Sequence, residues 1–409
     1  DLNQWSLVWV EGAGRPTIKA EFDVDSAGRF QRFVVTQEDP LGTERVWPQQ
    51  LEIFLGTDQV SVELNEREQL LPEAIGKRFD GFVLLNGNGL GYGRFEFDWE
   101  SLSRVSEELG RIAAPVTRAS AWLTLWDTML EGNWPPDAMV RLLLRGIQQE
   151  NEELILQHLL DLLESAFWQF LTPEKRQHLA GEIEGILWTA IAQSDRPGLS
   201  STYFRTLQSV ALTEEGLARL GRIFRAEEEL GTLRLSLQDR EELVFQLAIR
   251  SVAGVEEMMA SQRAETEDPE RLARFDFLRP AVSSDRGERD ALFSGFAQIE
   301  NRQRETWVLE ALRYLNHPLY SQEAVKYLRP GLELLLELQQ TGTIFFPKRW
   351  LDALFWGHQD VEAYRVVSDF LRENPDYPER LKGKILQSTD TLSRAVRILE
   401  GMPASVEIP

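Results

Sequence analysis

Four histidines, His158, His178, His317 and His358, are the first place to look for metal or acid–base chemistry. Their spacing does not supply it. No two lie within four residues of each other, so no helix offers a histidine pair to zinc, and His-Glu-x-x-His does not occur. His158 and His178 each sit between a Gln and a Leu in helical stretches, where a packed or surface imidazole is the ordinary outcome. His317 precedes Pro318, a helix-ending position, and His358 follows Gly357 in a loop. Serine chemistry fares no better. There is no Gly-x-Ser-x-Gly elbow, and Ser294-Gly295 lies inside a helical pattern rather than at a strand-to-helix turn. Adjacent carboxylates such as Glu152-Glu153, Glu227-Glu228-Glu229 and Glu256-Glu257 read as solvated helix faces in so acidic a chain.

Phosphate binding is the next possibility, because Phe82 to Asp98 is rich in glycine. Gly87 and Gly89 fit the first two positions of a Gly-x-Gly-x-x-Gly fingerprint, but the third falls on Tyr92. The run from Gly93 to Phe97 alternates like a strand instead of opening a helix. The stretch is therefore expected to be a β-hairpin. Val83, Leu84 and Leu85 form one arm, Tyr92, Phe95 and Phe97 the return, and the Asn-Gly tip accepts positive φ. It is also a boundary, with strands before it and helices after it. No Walker loop occurs elsewhere.

Composition narrows the classes. The 409 residues carry 44 basic and 66 acidic side chains, a net charge of −22. That argues against a protein that coats nucleic acid, which needs a basic stripe. The absence of cysteine removes disulfides, thiolate zinc sites and a cysteine nucleophile. No apolar run approaches the ~20 residues of a membrane span. Asp1-Leu2-Asn3-Gln4 has neither the basic nor the apolar region of a signal peptide, so a soluble chain is expected, with the cytoplasm favoured over the periplasm or secretion.

The elements that would carry any site follow from periodicity. Leu2, Trp5, Val8 and Trp9 recur at helical spacing until Gly12 and Gly14, so residues 1–14 read as the end of a helix with an apolar stripe of the kind that packs in a core. Opening in mid-helix without Met points to a piece of a longer polypeptide. From Arg15 the period is two: Thr17–Val24, Phe30–Gln37, Leu51–Leu55, Val60–Leu64 and a short run near Gln69–Leu71. With the hairpin, these make about seven short strands, the count of a small β-sandwich. Beyond Trp99 come roughly fifteen helices of ordinary length. Thr172, Thr213, Ser236, Asp268 and Asp360 are cap signatures, and Gly287–Asp290 and Ser321–Glu323 mark further starts. No repeat period appears, so an irregular α-helical superhelix or cup of antiparallel pairs fits better than a regular solenoid. Arg225–Gly231 and Gln262–Glu270 are expected to be solvated loops or helix ends. The expected domains are 1–14, 15–98 and 99–409.

Two regions bear a resemblance. Asp1-Leu2-Asn3-Gln4-Trp5, followed by Trp9-Val10-Glu11-Gly12-Ala13-Gly14-Arg15-Pro16, is similar to the junction after the catalytic domain in zinc aminopeptidases of the aminopeptidase N family. Leu85, Asn86, Gly91, Tyr92, Arg94, Phe95 and Phe97 resemble the Leu-Asn … Gly-Tyr-Tyr-Arg-Val-x-Tyr that ends the family's β-sandwich, with Gly93 in place of the second Tyr. Gly91, Tyr92 and Arg94 are thus the expected structural junction. Thr343–Trp350 and Lys384–Asp390 look like segments of bacterial branches.

The resemblance implies that this is the β-sandwich and helical C-terminal region of such an enzyme. Zinc and its His-Glu-x-x-His would lie in a missing upstream domain, and this chain would hold no cofactor. The helical cup would cover the active site and limit the entry of long peptides. It would offer Arg or Lys to the peptide's C-terminal carboxylate, although the sequence does not name which side chains. The rival expectation is a free-standing acidic helical scaffold for partner proteins.

Overall fold

The structure, a computed structural model, describes residues 2–231 and 233–401. Asp1 and residues 402–409, the outer ends of the first and third expected domains, lie outside the described residues, as does Thr232.

Alternation sets the strands. Thr17–Val24 (β1) and Phe30–Glu38 (β2) pair antiparallel, with Ala20 opposite Val35. Gln49–Leu55 (β3) and Asp58–Leu64 (β4) pair Ile53 with Val60. Glu68–Leu70 (β5) joins the far edge of β2, and Arg94–Phe95 (β6) lies parallel to β1. The result is a four-stranded sheet, β5-β2-β1-β6, and a two-stranded sheet, β3-β4. Because side chains alternate across a strand, Leu51, Ile53 and Leu55 share one core with Val60, Val62 and Leu64 and with Ile18, Phe33 and Val35 of the other sheet. A register shift between Asp23 and Val24 turns both Phe30 and Phe33 inward, where their rings meet edge to face at 5.2 Å. Each such buried side chain contributes about 1.5–3 kcal/mol.

The stretch from Phe82 to Asp98 is a junction but not a hairpin. Leu84 bridges to Phe54 on the edge of β3, with both backbone bonds at 2.9 Å, and Gly87 N donates to Glu52 O at 2.6 Å. The chain then turns, and Arg94–Phe95 pairs with Thr17–Ile18 in parallel. The two arms thus go to different sheets, the first to the edge of β3 and the second to the edge of β1. The turn is closed by Asn86, whose amide oxygen accepts from Gly91 N at 2.8 Å. The return run therefore adds two strand residues, and among the described residues six strands stand where about seven were expected. Gly93 has a physical reason to depart from Tyr: a Cβ there would lie 2.9 Å from Ile18 Cδ1 and 3.0 Å from Pro16 O.

The mainly helical fold with an N-terminal β region is as expected, and 17 α-helices follow the strands among the described residues. The caps hold. Thr172, Thr213, Ser236, Asp268 and Asp360 each accept from a backbone N–H in the first turn of their helix. Two expected starts differ. Asp285, not Gly287, caps Arg286–Gly295, and Ser321 is already inside Ser321–Glu333. Packing does not follow chain order. Phe346–Phe355 packs more on Glu305–Leu315 and on Glu379–Glu400 than on the helices next to it in the chain, which is why no repeat is legible.

Two expectations about exposure fail. Trp5 is 54% exposed, and the turn Leu7–Glu11 buries none of its residues, so the N-terminal stripe has no core within the described chain. Gln262 is fully buried inside the helix Val255–Glu265 and donates to Leu237 O at 3.1 Å, because helical phase, not local polarity, sets its face.

The chain divides into two compact units, Asp1–Leu159 and Leu160–Pro409. In the first, the junction is tied to its helices by hydroxyls. Ser101 accepts from Val83 N at 2.9 Å, Thr117 donates to Gly87 O at 2.7 Å, and Ser120 donates to Asn86 O at 2.5 Å.

Candidate functional site

In the first unit each of the expected junction residues is tied to a different neighbour, Gly91 to Asn86. Tyr92 exchanges backbone–side-chain bonds with Gln49, at 2.8 and 2.9 Å, and its hydroxyl donates to Gly14 O at 3.0 Å. Its ring lies 5.6 Å from Trp9. Arg94 joins Glu131 at 2.9 Å and Glu96 at 2.7 Å, and Glu96 also meets Lys19 at 3.1 Å. A cavity of about 290 Å³ adjoins Arg94, Phe97 and Trp99, but its carboxylates are already matched, Asp127 by Arg15 at 3.0 Å. The geometry joins sheet to helix and leaves no charge over for a ligand.

The histidines do not converge. His178 is exposed and His158 half-buried on separate helices, Pro173–Gln193 and Glu153–Ser165. His317 and His358 are buried in the second unit. His317 follows the helix Glu305–Leu315, as its place before Pro318 predicts, and its Nδ1 accepts from Leu319 N at 3.2 Å. Its ring packs at 4.8 Å from Trp168 and 5.8 Å from Trp356. Burial first, then the nearby Arg250, Arg176 and Arg313, push its pKa far below the usual range. His358 shares a hydrogen bond with Asn316 Oδ1 at 3.0 Å, and burial brings it down to about 4. Both imidazoles are neutral at pH 7, and both are structural. Among the described residues, no three His, Asp or Glu side chains are gathered so as to hold a metal ion, so those residues do not fit a zinc site.

Around Trp168 the second unit buries guanidinium groups against carbonyls. Arg176 donates to Leu171 O at 2.8 Å and Trp168 O at 3.1 Å. Arg250 donates to Ala211 O at 2.6 Å, Gln246 O at 2.9 Å and Ser209 O. Burial lowers both to about 10, which leaves them cationic at neutral pH.

Beside this core opens a cavity of about 410 Å³, within the range of small-ligand sites, about 300–1,000 Å³. Glu153–Ser165 and the turn that continues it supply Asp161, Glu164 and Gln169, three residues on one face because they are spaced by three and five. Arg313 comes from Glu305–Leu315, Trp356 from the end of Phe346–Phe355, and Ser388 from Glu379–Glu400. The Trp356 indole N–H donates to Arg313 O at 2.9 Å, and the Arg313 guanidinium lies 4.6 Å above the indole. Among the described residues, no carboxylate pairs with Arg313 or cation with Asp161 within 4 Å, whereas Asp352 on the rim is paired with Lys348. Burial raises the Glu164 carboxyl above its ordinary range, against the pull of Ser209, Arg313 and Arg250.

The cavity thus has an exposed, indole-backed guanidinium and carboxylates among its lining residues. None of these positions stands out in the sequence. The available signal was polar residues on the otherwise apolar helix Glu153–Ser165, which the abundance of acidic residues hides.

Comparison with known proteins gives the context. Residues 82–394 match the ERAP1-like C-terminal domain family. Over 336 residues the chain is 24% identical to "Aminopeptidase N" of Streptomyces lividans, a stretch covering 74% of this chain and 39% of that protein. The chain therefore spans well under half the length of that curated relative. With most of its helices inside the matched region, the chain belongs to the ERAP1-like C-terminal domain family.

Proposed function

We propose that this chain is the non-catalytic C-terminal part of a zinc aminopeptidase, an enzyme that removes N-terminal residues from peptides. In this reading residues 15–98 are a β-sandwich, with Gly91, Tyr92 and Arg94 at its junction, and residues 99–409 form the helical cover that controls peptide access. Family membership over residues 82–394 carries the reading. Zinc and the hydrolytic groups belong to an upstream domain of the same polypeptide, which works in the cytoplasm.

The cavity in the second unit supports the access role. Arg313 is positioned to take a peptide's C-terminal carboxylate, since a planar guanidinium held over an indole offers paired N–H donors at little entropic cost. A lost charge-assisted hydrogen bond costs about 1.5–3 kcal/mol, and each ~1.4 kcal/mol is a factor of ten.

The test uses the whole polypeptide encoded upstream and through this chain. Arg313→Ala should lower kcat/KM about 10- to 100-fold on peptides with a free C-terminus. It should leave turnover of a small aminoacyl-arylamide unchanged. An upstream reading frame without His-Glu-x-x-His, or zinc-dependent arylamide cleavage by this chain alone, would overturn the proposal.

A further inference from the structure

The cavity holds more than a carboxylate anchor. A site built only for a C-terminal carboxylate would surround Arg313 with neutral walls. Here Asp161 and Glu164 line the same cavity as Arg313, and the charges of Arg313 and Asp161 both act on the Glu164 carboxyl. Asp161 has no cation within 4 Å among the described residues, while the third carboxylate, Asp352, is already matched by Lys348. Trp356 stands among the lining residues as the large apolar surface, its ring fixed by the bond to Arg313 O. Gln169 holds the same segment by donating to Trp356 O at 3.2 Å.

This is not simply a solvated acidic face. The guanidinium and the carboxylates line one cavity, and the Ser388 hydroxyl on its wall is shut off from solvent yet has no hydrogen-bond partner among the described residues. A buried hydroxyl without a partner is uncommon unless something polar reaches it.

We infer that this cavity selects peptides whose C-terminal residue is basic, Lys or Arg. The inference rests on the proposal that Arg313 receives the C-terminal carboxylate. The α-carboxylate meets Arg313, and the aliphatic stem of the last side chain lies against Trp356. Its terminal cation reaches Asp161 and Glu164. A C-terminal Glu or Asp places its charge against those same carboxylates and is disfavoured. An apolar last residue keeps the first two contacts and lacks the third.

The experiment takes the full polypeptide and one peptide sequence ending in Lys, Leu or Glu, each with a free or amidated C-terminus. The readout is kcat/KM. The expected order is Lys above Leu above Glu, with about tenfold or more between Lys and Glu. Asp161 is exposed, and Asp161→Asn should shrink the Lys–Glu spread. Amidation should lower all three.

Equal rates for Lys, Leu and Glu peptides, with amidation still harmful, overturn the selectivity and leave the Arg313 anchor standing. An order that persists in Asp161→Asn and in Glu164→Gln also overturns it, since the preference then comes from elsewhere. If amidation has no effect on any peptide, the Arg313 anchor fails, and the inference fails with it.

Discussion

Glu184 offers the sharpest test of how the helices of the second unit are held. It lies on Pro173–Gln193 and is 3% exposed. Its carboxylate accepts from Leu212 N and Thr213 N, both at 2.8 Å, and from the Thr213 hydroxyl. Thr213 Oγ1 in turn accepts from Gly216 N at 3.0 Å and caps Glu214–Phe224. One carboxylate therefore serves two backbone donors that precede a helix and orients the residue that caps it. Glu184→Ala strands both amides in a half-buried site. At up to about 1–3 kcal/mol for each donor left unsatisfied, the loss is at most about 6 kcal/mol. That is a large share of a typical stability of about 5–15 kcal/mol.

Urea unfolding of the chain, followed by far-UV circular dichroism, should show the midpoint fall with little change in slope. Hydrogen exchange should show Leu212 and Thr213 losing protection first. Gln177→Ala, on the exposed face of the same helix, should stay within about 0.5 kcal/mol of the parent. Coupling gives a second check. A Cβ at Gly216 would sit 2.0 Å from Glu184 Oε2, so Gly216→Ala should cost less in the Glu184→Ala background than in the parent. A Glu184→Ala variant within about 0.5 kcal/mol of the parent, with Leu212 and Thr213 still protected, would refute the reasoning.

Two further outcomes follow from the same physics. Gly56 has φ +84°, and a Cβ there would lie 1.9 Å from Asp80 O, whereas Gly28 has φ +71° with open space around it. Gly28→Ala should cost only the left-handed penalty of about 1–2 kcal/mol, and Gly56→Ala clearly more in thermal unfolding; equal losses would show that the close approach does not matter. The second concerns Glu164, whose carboxyl burial raises above the usual 4.5. A raised acid keeps its proton longer in the folded chain, so its contribution is complete below the unfolded value and is lost as pH rises through the folded one. Glu164→Gln should therefore gain stability relative to the parent as pH rises above the usual 4.5; a difference independent of pH in denaturant titrations would sink this reading.

Much of the fold was legible because it depends on neighbours a few residues away. Five strand positions follow from period-two alternation, and five caps from a short polar side chain ahead of an apolar-periodic run. The helical region and its boundary near Trp99 follow from the same signals. Gly91, Tyr92 and Arg94 were singled out by resemblance; Gly91 bonds to Asn86, Tyr92 to Gly14 and Arg94 to Glu131.

Tertiary structure decided what local chemistry leaves degenerate. A Gly-rich turn between two apolar arms suits a hairpin and a sheet-to-sheet crossing equally well, and only the free edges of β3 and β1 chose between them. Gln262 and Trp5 show the same limit for burial: one is polar and inside, the other aromatic and outside, because burial depends on what packs opposite. The cavity is the extreme case. Asp161, Arg313 and Trp356 are ordinary residues on three distant segments, and their chemistry exists only because non-sequential helices pack side by side. The sequence by itself determined the elements and their order; the packing determined which charges face each other.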